Sequence, residues 1–119
     1  MKYLWTTIKV SDLDKSKTFY KDILGLEIDW EKGDSKEFGI VMFKTGDSNL
    51  ELLFAPDMDG TIGKGVTVGF EVESLEEIRK KLQDHGYDLG KEQSPMEGMV
   101  FAFTHDPDGV GVQLVEYNK

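Results

Sequence analysis

The sequence contains no cysteine, which removes disulfides, thiolate metal centres and cysteine nucleophiles together. Histidine occurs only at His85 and His105, too few for a three-histidine metal site within one chain. Arg79 is the sole arginine, so a bidentate phosphate clamp of paired guanidinium forks is not expected. No apolar run approaches the roughly 20 residues that a membrane helix needs, and Met1-Lys2 opens no secretory signal. A cytoplasmic protein with no membrane partner is therefore expected. Basic residues are also few, 14 against 23 Asp and Glu, for a net charge of −9. Non-specific nucleic-acid binding depends on basic side chains that neutralise phosphates, so no nucleic-acid partner is expected either. The same charge attracts cations at long range, and it equally serves the solubility of an ordinary globular protein.

What is present is patterned. A chain of 119 residues, 39% hydrophobic and 31% charged, has the size and composition of one globular domain. Residues 4–10 alternate as a strand, with Leu4, Ile8 and Val10 on one face and Trp5, Thr7 and Lys9 on the other. Ser11-Asp12 offers a helix cap before an apolar stripe of Leu13, Ser16, Tyr20, Ile23 and Leu24, which Gly25 ends. Strands follow at 26–30, 38–44 and 49–54, with turns at Gly33-Asp34 and 45–48. Residues 57–64 have no apolar periodicity and read as a linker. Beyond them comes a strand at 66–72, then a capping box, Ser74-Leu75-Glu76-Glu77, and a helix with the stripe Leu75, Ile78 and Leu82. Gly86 ends that helix, and strands at 89–92, 99–104 and 110–117 complete the chain, the last two joined by Asp106-Pro107-Asp108-Gly109.

Strand, helix and three strands thus occur twice. A shift of 62 positions lays Val10 on Val72, Ser11-Asp12-Leu13 on Glu73-Ser74-Leu75, and Leu50-Glu51-Leu52 on Val112-Gln113-Leu114. The expected fold is α+β: two tandem βαβββ modules, about 2–56 and 65–119, whose curved mixed sheets enclose a cleft. Ile8, Val10, Val68, Phe70, Val72, Val112 and Leu114 are the expected core faces. The opposite faces, with Trp5, Thr7, Lys9, Asn49, Glu51, Leu53, Thr67, Gly69, Gln113 and Val115, are expected to line the cleft, where a ligand would sit.

Two stretches carry a family resemblance. Ile8-Lys9-Val10-Ser11-Asp12-Leu13-Asp14-Lys15-Ser16 runs into Phe19-Tyr20 and Ile23-Leu24-Gly25-Leu26. His105-Asp106-Pro107-Asp108-Gly109 leads to Val112-Gln113-Leu114-Val115-Glu116. With them, nearly the whole chain resembles the vicinal oxygen chelate superfamily, which includes glyoxalase I, extradiol dioxygenases, and fosfomycin and bleomycin resistance proteins. The fold hosts many chemistries, so the resemblance speaks to architecture before reaction. Its metal-dependent members hold a divalent ion with two histidine or glutamate ligands from each module. Carried onto this sequence, those positions are Trp5, Glu51, Thr67 and Gln113, of which Glu51 alone is a good ligand.

The resemblance therefore implies a metal-free member with no cofactor, a small-molecule-binding protein of the bleomycin resistance kind that takes a cationic or aromatic organic ligand. Trp5 would stack on that ligand. Glu51 would bind an ammonium group or serve as a general base, held by Thr67 and Gln113 or shifted to a raised pKa. Lys9 resembles a position where glyoxalase I contacts a carboxylate of its thiol conjugate. The alternative is a lactoylglutathione-lyase-like enzyme, or another lyase or isomerase, with Glu51 as base. Family members of this length commonly pair, so a homodimer is expected. His85 is expected at the solvated end of the second helix and His105 at a strand rim, neither as a ligand.

Overall fold

The computed structural model describes residues 3–55 and 66–117. The chain divides into two compact units, Met1–Lys64 and Gly65–Lys119, and the expected linker at 57–64 lies outside the described residues. In the first unit, β1 (Trp5–Lys9), α1 (Leu13–Lys17), β2 (Glu27–Gly33), β3 (Gly39–Lys44) and β4 (Asn49–Phe54) form a sheet in the order β1-β4-β3-β2. In the second, β5 (Thr67–Glu71), α2 (Leu75–Asp84), β6 (Gln93–Met96), β7 (Met99–His105) and β8 (Gly111–Tyr117) repeat the pattern as β5-β8-β7-β6. In each sheet the first strand pairs parallel to the fourth, and the other pairs are antiparallel. The architecture is the expected α+β pair of βαβββ modules.

The first helix departs from expectation. Asp12 caps it by accepting from Lys15 N at 3.0 Å, but the α-helix ends at Lys17 and a π-helical turn covers Thr18–Ile23. The wider turn brings two consecutive aromatics, Phe19 and Tyr20, into full burial. Their rings meet edge-to-face at 5.1 Å, and Tyr20 lies 6.2 Å from Phe43 of β3. Phe19 is absent from the 3.6-residue stripe because that stripe presumes a regular α-helix, whereas Leu24 is only half-buried. Burying a side chain such as Phe19 contributes roughly 1.5–3 kcal/mol, so this cluster anchors the unit.

In the second unit Ser74 caps α2 by accepting from Glu77 N at 3.1 Å, and Glu116 Oε1 takes the Leu75 N–H at 2.7 Å. Leu75, Ile78 and Leu82 are buried as the stripe requires. The strand expected at 89–92 is corrected to β6, four residues later. Arg79 donates to the carbonyls of Leu89 and Gly90, and Gly90 N donates to Phe103 O. The Arg79 bonds hold the segment to the helix, and the single Gly90 bond to β7 is not continued into a ladder there. Val68, Phe70 and Val72, expected in the core, are half-buried because β5 is an edge strand with one neighbour.

Candidate functional site

Strand register places the site residues without ambiguity. In the first sheet Trp5 pairs with Asn49, Thr7 with Glu51 and Lys9 with Leu53. Glu51 pairs in turn with Met42, and Met42 with Trp30. Directly paired residues share a face, so Thr7, Glu51, Met42 and Trp30 form one row across the sheet. Leu50, Leu52, Val41 and Phe43 occupy the other, buried face with the helix. Trp5, Lys9 and Glu51 thus share one face of the first sheet. Thr67 and Gln113 occupy the equivalent face of the second sheet, Thr67 paired with Gly111 and Gln113 with Gly69 and Phe103.

Glu51 is half-buried and accepts a 2.6 Å hydrogen bond from Thr7 Oγ1. The donor is thus a neighbour in the same sheet, whereas Thr67 or Gln113 was expected in that role. One carboxylate oxygen is engaged this way, and the other retains acceptor capacity.

Trp30 was missed. Plain alternation from Ile28 would send it to the helix side, but a β-bulge between Ile28 and Trp30 changes the phase. Ile28 faces Phe43 and Trp30 faces Met42. Glu31 confirms this placement from the far side, where it forms a 2.6 Å ion pair with Lys17 of α1. Nothing in the residue pattern marks the bulge. Ile40, Met42 and Lys44 were also left out, and alternation along β3 could have found them.

The net charge of the chain is not concentrated here. By register this face carries Glu51 and Glu27 against Lys9, Lys32 and Lys44, with Lys44 and Glu27 3.6 Å apart. Local electrostatics therefore gives a cation no advantage. Aromatic surface is the more distinctive property: Trp5 is 46% and Trp30 42% exposed, whereas Phe19, Tyr20 and Phe43 on the helix side are fully buried.

On the second sheet Phe101 and Phe103 meet edge-to-face at 5.6 Å beside Val115 and Gln113. Gly69 and Gly111 leave the space around Gln113 and Thr67 open. A Cβ on Gly69 would stand 3.7 Å from Gln113 Oε1, and one on Gly111 3.0 Å from Thr67 Oγ1. His105 ends β7 on that same face and is exposed. His85 donates from Nδ1 to Lys81 O at 2.9 Å at the end of α2, a helix-terminal role.

The four positions matched to the superfamily's metal ligands hold an indole, a carboxylate, a hydroxyl and a carboxamide. A divalent ion needs three or four strong donors, and this set offers one anion. These residues do not fit the metal. Among the described residues no helix is long and apolar enough to cross a membrane.

Comparison with known proteins agrees with this architecture. The family model described as Glyoxalase/Bleomycin resistance protein/Dioxygenase superfamily matches residues 2–114. A Synechocystis protein named "Probable lactoylglutathione lyase" is 34% identical over 122 residues, covering 95% of this chain and 93% of its own. The lactoylglutathione lyase of Salmonella typhimurium is 25% identical over 129 residues, with 98% and 93% covered. Among solved structures, SMU.1112c superposes with a TM-score of 0.77 at 27% identity, with 98% of each chain covered. The chain belongs to the glyoxalase/bleomycin resistance protein/dioxygenase superfamily.

Proposed function

We propose that this chain is a small-molecule-binding member of the superfamily that works without a catalytic metal or other cofactor. The observation that carries the reading is the donor set Trp5, Glu51, Thr67 and Gln113, which replaces four coordinating positions with one carboxylate and three neutral groups. The ligand is a small organic molecule with a flat aromatic part, and the residues assigned to bind it are Trp5, Lys9 and Glu51 on the first sheet and Thr67 and Gln113 on the second. Stacking on exposed indole needs no charge on the ligand, and the lysines beside Glu51 remove the local preference for a cation. The protein acts in the cytoplasm as a homodimer. Metal content and ligand retention test the reading together. After equilibration with zinc or nickel and desalting, the protein retains no stoichiometric metal, and aromatic ligands raise its melting temperature. A tightly held divalent ion that Glu51→Gln releases would overturn it.

The curated relatives named lactoylglutathione lyase favour a second reading. Here Glu51 would take the proton from the carbon beside a carbonyl, steadied by Thr7, and Lys9 would hold a carboxylate of the substrate. A hemithioacetal isomerisation assay with and without added nickel separates the two. Turnover abolished by Glu51→Gln establishes the enzyme, and its absence supports the binding protein.

A further inference from the structure

We infer that Met96 and Met99 form a thioether site for one soft monovalent cation of the Cu(I) class, at the far end of the second sheet. The two residues close the β6–β7 hairpin and are paired directly across it. Their side chains therefore leave the same face, with Cβ atoms about 5 Å apart. Each sulfur sits two bonds beyond its Cβ on an unbranched chain, which lets both reach one ion. The backbone between them is held. Gly98 turns the chain with a φ of +83°, and Ser94 Oγ shares its proton between the carbonyls of Met96 and Met99, at 3.2 and 3.0 Å. Met96 is 61% exposed and Met99 half-buried, so an ion meets the pair without disturbing the core.

Donor chemistry selects the ion. Thioether sulfur is soft and suits Cu(I), whereas it is not among the usual donors to zinc. The chain has no cysteine, so no thiolate competes, and methionine sulfur is its softest donor. Among the described residues Met96 and Met99 are the only methionines that stand opposite one another, and Met42 is buried. Tyr117 pairs with Met99 and is 51% exposed, which sets an aromatic ring beside the pair, and aromatic faces attract cations. The net charge of −9 raises the concentration of cations near the surface. Gln113 lies four residues along β8 from Tyr117, about 14 Å. The site is thus separate from the residues assigned to the organic ligand, and it stands under either reading of the function.

The probe is silver(I), which shares the charge and closed shell of Cu(I) and needs no reductant. It is titrated as the nitrate, in chloride-free buffer, into protein carrying carbon-13 methionine methyl groups. The Met96 and Met99 signals should move together and saturate at one equivalent, with the Met42 signal unmoved. Zinc(II) at the same concentration should leave both in place. Met96→Leu and Met99→Leu keep the side-chain volume, and each should weaken binding at least roughly tenfold, since even an outer partner of a metal ligand is worth that much. A double variant, His85→Gln with His105→Gln, should bind silver as the parent does. Movement of only one of the two signals, neither signal moving, or parent-like binding by either Leu variant would overturn the site. So would equal movement by zinc, or loss of binding in the histidine variant, which would put the ion on the imidazoles. Both Leu variants should melt within a few degrees of the parent, which separates a lost ligand from a lost fold.

Discussion

Thr7 Oγ1 donates a 2.6 Å hydrogen bond to Glu51 Oε1 across the parallel β1–β4 pair. It fixes the one carboxylate among the four positions that the resemblance matches to metal ligands, using a residue from the strand that also carries Trp5 and Lys9. Thr7→Val keeps the shape and deletes the donor. It should cost roughly 1 kcal/mol in urea unfolding. A double-mutant cycle with Glu51→Gln should show coupling of roughly 0.5–1.5 kcal/mol, and strict additivity would mean the bond holds nothing in solution.

Ser16 Oγ is fully buried and has no hydrogen-bond partner. A buried hydroxyl without a partner gives up its hydration for nothing. Ser16→Ala should therefore be neutral or stabilise by up to about 1 kcal/mol, measured by thermal unfolding. A loss of more than about 1 kcal/mol would show that the hydroxyl is satisfied in solution.

The turn between β2 and β3 has no room at Gly39. An added Cβ would collide with the Asp34 carbonyl oxygen and the Leu13 side chain. At Gly46, in the β3–β4 turn, nothing lies within 4 Å and the demand is a φ of +100° alone. Gly39→Ala should cost roughly 1–3 kcal/mol by overpacking, and Gly46→Ala roughly 1 kcal/mol by backbone strain. Urea midpoints for the two variants would reveal the order.

Stability should change at both ends of the pH range. The Asp34 carboxyl is held below its ordinary value by hydrogen bonds from the Glu37 and Lys36 amides. A lowered folded pKa means this contribution is whole above pH 4 and fades as pH falls through the folded value. Tyr87 is pushed above 10.0 by burial and by the negative charge of Asp106. A raised folded pKa leaves stability whole below pH 10, and it declines as pH rises toward the folded value, where a half-buried phenolate would face a carboxylate. Urea titrations should show a shallower alkaline decline for Tyr87→Phe and a shallower acid decline for Asp34→Asn. Slopes equal to the parent's would contradict the corresponding assignment.

Much of this was readable from the residues. Asn49–Phe54 was placed to the residue, and Asp12, Ser74 and the Asp106 turn announced themselves through side chains that bond nearby backbone. Asp106 Oδ1, for example, accepts from Asp108 N at 2.8 Å and Val110 N at 2.9 Å. Such signals are local, and local chemistry is what a pattern records. Trp30 was hidden because one extra residue in β2 reverses its phase, and only the pairing with β3 reveals that. The π-helical turn escaped for a similar reason, since its extra residue is tolerated by the packing of Phe19 and Tyr20 and not encoded by any spacing rule. The Thr7–Glu51 bond required the parallel register of strands 44 residues apart.

The two halves keep a 62-residue offset from β1 to β5 and from β4 to β8, but the offset is 61 from β3 to β7, where Met42 corresponds to Phe103. The second hairpin therefore carries one residue more in its final loop, recovered before that strand by one fewer. A chimera that recombines the halves should cross over inside the first or last strand of a module. A crossover in the third, made at the 62-residue offset, would put the remainder of that strand one residue out of phase, and the fourth strand would fall back into phase.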